Sequence, residues 1–401
     1  MTKTEKKLFE LVRNNILTIL FFAVTVFAVA IHFCGIGFES GDYKSFLKPW
    51  WDIIKSGGVG GLSRQVGNYN IPYQIITFIM TLFPWEPLVA YKSLSIIFDF
   101  IMAGSVMLLI TEITKSKLYA LVGYTLTICS LTVLLNSSFW AQCDSIYVTF
   151  IILSLYFLIK DKTALSFIML GLAFAFKLQM IFILPVFLFY YVLSKKVSII
   201  NFLIIPAVDF LLCLPAVLFG RNIMDIFTIY ANQTDYGKQI QMNCPNFFAL
   251  ICEGKNTEFY YMFKTYSILI TVVVLGFMLG MFIYKKVDLT NRKNLLMTAI
   301  WTVFTCIMFL SSMHERYSYL LDILLIVYAV CYRKNIIPAI ICSLISLRGY
   351  CSYLFSYNVI EIQHAAVVYF GVYLYLTYVL IKEVILNNNS KLELKTVKSK
   401  E

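Results

Sequence analysis

Apolar runs close to the length of a membrane crossing recur from one end of this chain to the other, separated by short basic clusters. A helix rises 1.5 Å per residue, so about twenty apolar residues cover a hydrocarbon core of roughly 30 Å. With 60% of its 401 residues hydrophobic and 14% charged, the chain has too little polar surface to cover a soluble globule. The pattern predicts an all-α polytopic membrane protein with about twelve transmembrane helices. They form a single transmembrane domain over 1–386, followed by a polar cytoplasmic tail over 387–401.

The predicted spans are 16–34, 87–110, 118–135, 146–159, 163–176, 180–194, 198–218, 262–284, 295–311, 317–331, 336–356 and 364–386. Charge fixes their direction. Lys3, Lys6, Lys7, Arg13, Lys115, Lys117, Lys160, Lys162, Lys195, Lys196, Lys285, Lys286, Arg292, Lys293, Arg333 and Lys334 all fall in alternate connections. That bias marks the cytoplasmic side and puts both termini there. The net charge of +11 is thus spent on orientation and does not point to nucleic acid. The first run, Ile16 to Cys34, has no small-residue cleavage site after it and reads as a retained helix. The outer segments 35–86 and 219–261 are the longest, the former making a large first outer loop.

Two stretches need separate treatment. Ile71 to Pro84 is apolar but short, and counting it as a span would put the later lysine pairs outside. It reads as interfacial or re-entrant. Ala164 to Leu193 carries Lys177 and Gln179 at its middle and lysines at both ends. It reads as a hairpin of two short helices, each about 20 Å long, with Lys177 facing a cavity. Phe46 to Ile54, with Trp50 and Trp51, suits a helix lying in the interface plane. The ten cysteines lie mostly in apolar runs and read as buried thiols. Cys244 and Cys252 share one outer segment and are the one candidate pair.

This topology gathers polar residues on one face. Asp42, the stretch Asn136 to Asp144, Lys177 and Gln179, and Met313 to Tyr317 all land outside. Asp42, with Glu39 just before it, is a candidate general base for an attacking hydroxyl; a turn-forming aspartate is the plainer alternative. Trp140, Gln142 and Asp144 combine an aromatic face with amide and carboxylate groups, as a sugar-binding surface requires. An aromatic-belt residue beside a polar loop is the alternative. His314, Glu315 and Arg316 are costly at a hydrocarbon boundary unless paired or functional. Arg316 as a fork and Lys177 as a point charge suit a phosphate. Arg348 reaches the same phosphate or pairs with Glu361. Gly57 to Gly61 lacks the Lys-Ser/Thr of a P-loop. No Asp-x-Asp occurs, and His314 has no neighbouring histidine for a local metal site.

At these residues the sequence resembles bacterial membrane proteins related to the second mannosyltransferase of GPI-anchor assembly. These belong to the GT-C class of polyprenol-dependent glycosyltransferases. The matching stretches are GDYKSFLKPWWDIIKSGG, GNYNIPYQ, NSSFWAQCDSIYVTFIILSLYFL, GLAFAFKLQMIFILP and MHERY, in order across residues 41 to 317. The resemblance implies a first outer loop bearing the acidic catalytic residue, here Asp42. It also implies a hexose donor, mannose by family expectation, carried on a polyprenyl phosphate and used on the non-cytoplasmic side with inversion. The acceptor would be an envelope glycan or glycolipid. The resemblance names no cofactor, leaves metal dependence open and does not reach the last spans. Residue by residue, Lys177, Arg316 and Arg348 are then expected to bind the donor phosphate. Trp140, Gln142, Asp144, Gln179, His314 and Glu315 would shape the sugar and acceptor pocket. Lysine, asparagine and isoleucine richness hints at a bacterial plasma membrane. A lipid-linked oligosaccharide transporter and an envelope polysaccharide polymerase are the competing readings, and both also use intramembrane cations.

Overall fold

The computed structural model describes residues 1–234, 238–252 and 258–386. They form a helical bundle whose only strands, among the described residues, are the two-residue pair Gln241–Met242 and Met313–His314, joined in parallel. Six helices have the length and composition to cross a membrane, or seven if the bent pair Lys117–Ile128 and Leu131–Phe139 counts as one crossing. The other five predicted spans are also helical but shorter or less apolar: Asp144–Ile159, Thr163–Phe176, Leu184–Ser194, Arg292–Phe309 and Tyr319–Tyr332. The reason lies in where they sit. Every residue from Leu295 to Met308 is buried, as is most of Tyr319–Tyr332, so neighbouring helices, not lipid, surround them. Such a helix need not match the bilayer by itself. Ile16–Phe33 and Tyr260–Tyr284, by contrast, expose Phe22, Val26, Phe27, Val272, Val273 and Phe277. These are the lipid-facing staves of the bundle.

The two doubtful stretches resolve clearly. Ile71–Thr81 is an 11-residue helix, about half the length of a crossing, buried along Tyr73, Gln74 and Thr77 while Ile79 and Leu82 stay exposed. The Lys177 segment is a hairpin. Lys177 breaks the helix in an extended conformation (φ −148°, ψ 135°). Farther along, Phe167 and Phe187 meet edge to face at 5.6 Å. The open ends are closed by Lys196 Nζ and Asp161 Oδ1 at 2.9 Å. Lys48–Gly57 is amphipathic, burying Trp51 and Ile54, with Pro49 confined to its first turn where no backbone donor is lost.

Cross-links show that the basic clusters share one end of the bundle. Glu112 meets Lys115 at 2.7 Å and Arg292 at 3.1 Å. Glu383 binds Lys293 at 2.5 Å and also holds Lys334, while Arg333 reaches the Tyr119 hydroxyl. Three helices at this end stop on a cation in the left-handed conformation: Lys115 (φ 56°), Lys195 (φ 57°) and Arg333 (φ 52°). The proposed Cys244–Cys252 bridge does not form. Both are free thiols, because Cys244 packs in the main core and Cys252 beside a separate cluster around Ile240, Phe248 and Tyr260. The predicted tail, 387–401, lies outside the described residues.

Candidate functional site

The opposite end carries a polar cluster assembled from six stretches, around Asp42, Tyr69, Trp140, Lys177, Arg316 and Tyr353. Asp42 follows the first helix and opens a wide turn over Tyr43–Leu47. Residues Leu135–Phe139 form a second widened turn, a distortion that re-aims side chains. Ala141 then takes φ +64°, at a cost of roughly 1–2 kcal/mol for a residue with a Cβ. The reversal turns Trp140 and Gln142 onto one carboxylate. Trp140 Nε1 and Gln142 Nε2 each donate to Asp42 Oδ2 at 2.8 Å, and the Tyr353 hydroxyl donates to Oδ1. Tyr353 also stacks on Trp140 with ring centres 4.1 Å apart. Tyr69 completes the relay by donating to Gln142 Oε1 at 2.7 Å.

Asp144, at the start of the next helix, has a different environment. Lys177 Nζ sits 2.6 Å from its Oδ1, and Asn136 donates to Oδ2 at 2.8 Å. The Asp144 side chain is 1% exposed and that of Lys177 5%, whereas that of Asp42 is 17% exposed. Accessibility therefore separates the carboxylates: Asp144 is a buried counter-ion, and Asp42 faces outward. Lys177 lines a cavity, as its place in the hairpin predicts, and is at the same time the ion-pair partner of Asp144.

Arg316 stands between the two carboxylates, with Nη1 3.8 Å from Asp42 Oδ2 and Nε 3.7 Å from Asp144 Oδ2. Both separations exceed hydrogen-bond length, and the buried Nε has no hydrogen-bond partner among the described residues. Its guanidinium lies over the Trp140 ring, 5.3 Å from the centroid, a favourable cation–π geometry. Arg316 thus holds strong donors in reserve beside an accessible carboxylate.

Arg316 is also part of the wall of a cavity of about 240 Å³, which Tyr69, Lys177, Gln179, Lys264 and His314 line with it. Leu178, Ile181, Phe182, Ile268 and Leu310 supply apolar lining, and Ile181 and Ile268 are themselves exposed. A cationic head region running into an apolar, outward-facing side is what an amphiphilic phosphate needs. His314 is held near neutrality of charge at physiological pH: burial, with Arg316 and Lys177 adding to it, pushes its pKa down to about 3.

Two expected site residues are placed elsewhere. Glu315 turns away from the cavity and packs so closely on Gly349 that a Cβ there would sit 2.6 Å from the Glu315 Cβ. Burial pushes its carboxyl up to about 7, against the pull of Arg316. Arg348 donates from Nε to the Ile360 carbonyl at 3.1 Å and from Nη1 to Asn243 at 2.8 Å. It does not line the cavity, because its helix directs it toward the 358–361 connection. Sequence reasoning missed Tyr69, Lys264 and Tyr353. Tyr69 lies in the GNYNIPYQ stretch that carried the resemblance, so a signal existed; Tyr353 had none. Among the described residues no three His, Cys, Asp or Glu side chains converge as metal ligands.

No protein-family model matches the chain, and no curated protein matches it either. The fold and site define a class, a helical membrane protein with a buried charged cluster at one end.

Proposed function

We propose that the protein is a membrane glycosyltransferase that moves a hexose, mannose by family resemblance, from a polyprenyl phosphate to an envelope glycan or glycolipid. Asp42 carries the reading. It is an accessible carboxylate, oriented by Trp140, Gln142 and Tyr353, and it adjoins an arginine with donors in reserve at the wall of a basic and apolar cavity. In the reaction, Asp42 accepts the proton of the acceptor hydroxyl as its oxygen bonds to the anomeric carbon. The carbon–phosphate oxygen bond breaks on the opposite face, inverting the centre, and polyprenyl phosphate leaves with the electron pair. Arg316 and Lys177 stabilise the charge that grows on that phosphate. Because a lipid donor has no nucleotide, this chemistry suits the side of the membrane opposite the nucleotide-sugar pool.

The separation of charge clusters supports the orientation. The end with Lys115, Lys195 and Arg333 would face the cytoplasm with both termini, and Asp42 would face the outside of a bacterial plasma membrane. All twelve apolar segments are then crossings, the short internal ones shielded by their neighbours.

The test is transfer by purified protein in nanodiscs, using mannosyl-, glucosyl- and galactosyl-phosphopolyprenols with a panel of glycan acceptors. Wild type is expected to form product, and Asp42→Asn to lose about 10²–10⁴-fold in rate while still binding donor. Full activity in folded Asp42→Asn rejects the catalytic assignment. Donor moved across the bilayer without a glycosidic product favours a transporter.

A further inference from the structure

A second cavity adjoins the first and has a different character. Its volume is about 370 Å³, within the roughly 300–1,000 Å³ typical of small-ligand sites. Phe46 and Trp50 line it from the amphipathic helix region, Gln65 and Asn68 from the following loop, and Asn232 and Gln233 from the helix Asp225–Thr234. Among the described residues none of its lining is charged, whereas the first cavity holds Lys177, Lys264 and Arg316. Arg221 donates to the Gln65 carboxamide from behind, but it is fully buried and paired with Asp225 at 3.0 Å, so it offers a phosphate no free charge. A hydroxyl-rich neutral molecule has what it needs, since each carboxamide both donates and accepts and aromatic rings pack against the C–H faces of a sugar.

The groove is built rather than incidental. Gly67, at φ +77°, brings its backbone so close to the Trp50 indole that a Cβ would lie 2.5 Å from the ring. Tyr69 meets the same indole edge to face at 5.5 Å. Gln65 is fixed by donating to the carbonyls of Gly67 at 3.0 Å and Tyr69 at 2.8 Å, so it frames the groove. Asn68 Oδ1 and Gln233 Oε1 are buried and have no hydrogen-bond partner among the described residues, an arrangement that costs free energy unless a ligand relieves it. These same two residues line the first cavity as well. The two cavities therefore meet at Asn68 and Gln233.

We propose that the groove between Trp50 and Gln233 binds a neutral oligosaccharide, the acceptor chain, and presents its terminal unit past Asn68 to the basic cavity. The acceptor role rests on the transferase reading; the binding of neutral glycan does not. The test titrates full-length protein in nanodiscs, without donor, with mannotriose, maltotriose and cellotriose, and with trigalacturonate as the anionic probe, by ligand-observed NMR.

At least one neutral trisaccharide should bind, with trigalacturonate at least tenfold weaker. Trp50→Ala and Gln233→Ala should each weaken binding tenfold or more, Trp50→Phe should retain most of it, and Lys115→Ala, at the opposite end of the bundle, should leave it unchanged. Asn232→Ala, at an exposed position, guards against misfolding and should also weaken binding. No binding of any neutral trisaccharide by folded protein overturns the proposal, as does wild-type affinity in both Trp50→Ala and Gln233→Ala. Intact glycan binding in a protein that never turns over a phosphopolyprenyl donor rejects the transferase reading and leaves the groove standing.

Discussion

At one end of the bundle Lys115 and Glu112 meet at 2.7 Å with the lysine side chain 64% exposed. At the other, Lys177 and Asp144 meet at nearly the same distance with almost no exposure. Geometry is shared; solvent is not. An exposed pair gains little, because water screens the attraction and two mobile side chains must be ordered. A buried pair has already lost its hydration, so each member becomes indispensable to the other. The exposed end reads as an orientation signal that happens to form ion pairs. The buried end is costly to keep, and cost of that kind is usually retained for function.

Lys177→Met sharpens this difference most. It leaves Asp144 with only Arg316, 3.7 Å away, in place of a cation at 2.6 Å, and is expected to lower stability by about 3 kcal/mol, read as a shift in detergent unfolding. The double variant Lys177→Met/Asp144→Leu should recover most of the loss. A single variant as stable as wild type would break the comparison, since it would mean that solvent reaches the cluster.

Glu315 gives a smaller effect with a defined sign. Its folded carboxyl is raised from 4.5 to about 7, so the folded state binds the proton more tightly than the unfolded chain. The associated stability is complete below about 4.5 and is lost as pH rises through about 7. Glu315→Gln should remove that loss, gaining stability relative to wild type between pH 5 and pH 8 in thermal unfolding. A gain in the opposite direction would place Glu315 in contact with solvent or a closer cation. The smallest expected effect is Lys115→Ala, within about 0–1 kcal/mol; a loss comparable to that of Lys177→Met would erase the distinction between the ends.

Much of this arrangement was legible in the sequence because it is local. The apolar runs and the hairpin at Lys177 follow from the spacing of lysines, and the hairpin's closure by Asp161 and Lys196 matches that reading. Asp42, Trp140, Gln142, Asp144 and Arg316 were all marked, and the fold draws them together. Pairing was not legible. Whether Lys177 is held by Asp144 or stands alone depends on contacts 33 residues apart, and no local pattern encodes them. Tyr353 lies 311 residues from Asp42 on a helix where one more tyrosine is unremarked. The short internal helices were predicted, but their burial was not legible, for a related reason: hydropathy measures compatibility with lipid, and Arg292–Phe309 touches other helices instead.

The left-handed helix ends at Lys115, Lys195 and Arg333 have a consequence for biogenesis. Glycine adopts that backbone most readily and is the usual residue there. A glycine, however, carries no information for the insertion machinery, which reads cations flanking each emerging helix. One residue therefore serves two readers at different times, the machinery that orients the nascent helix and the finished helix that must end. On the orientation proposed above, each of these three helix ends forgoes the ease of a glycine and keeps a cation on the side that the insertion machinery reads.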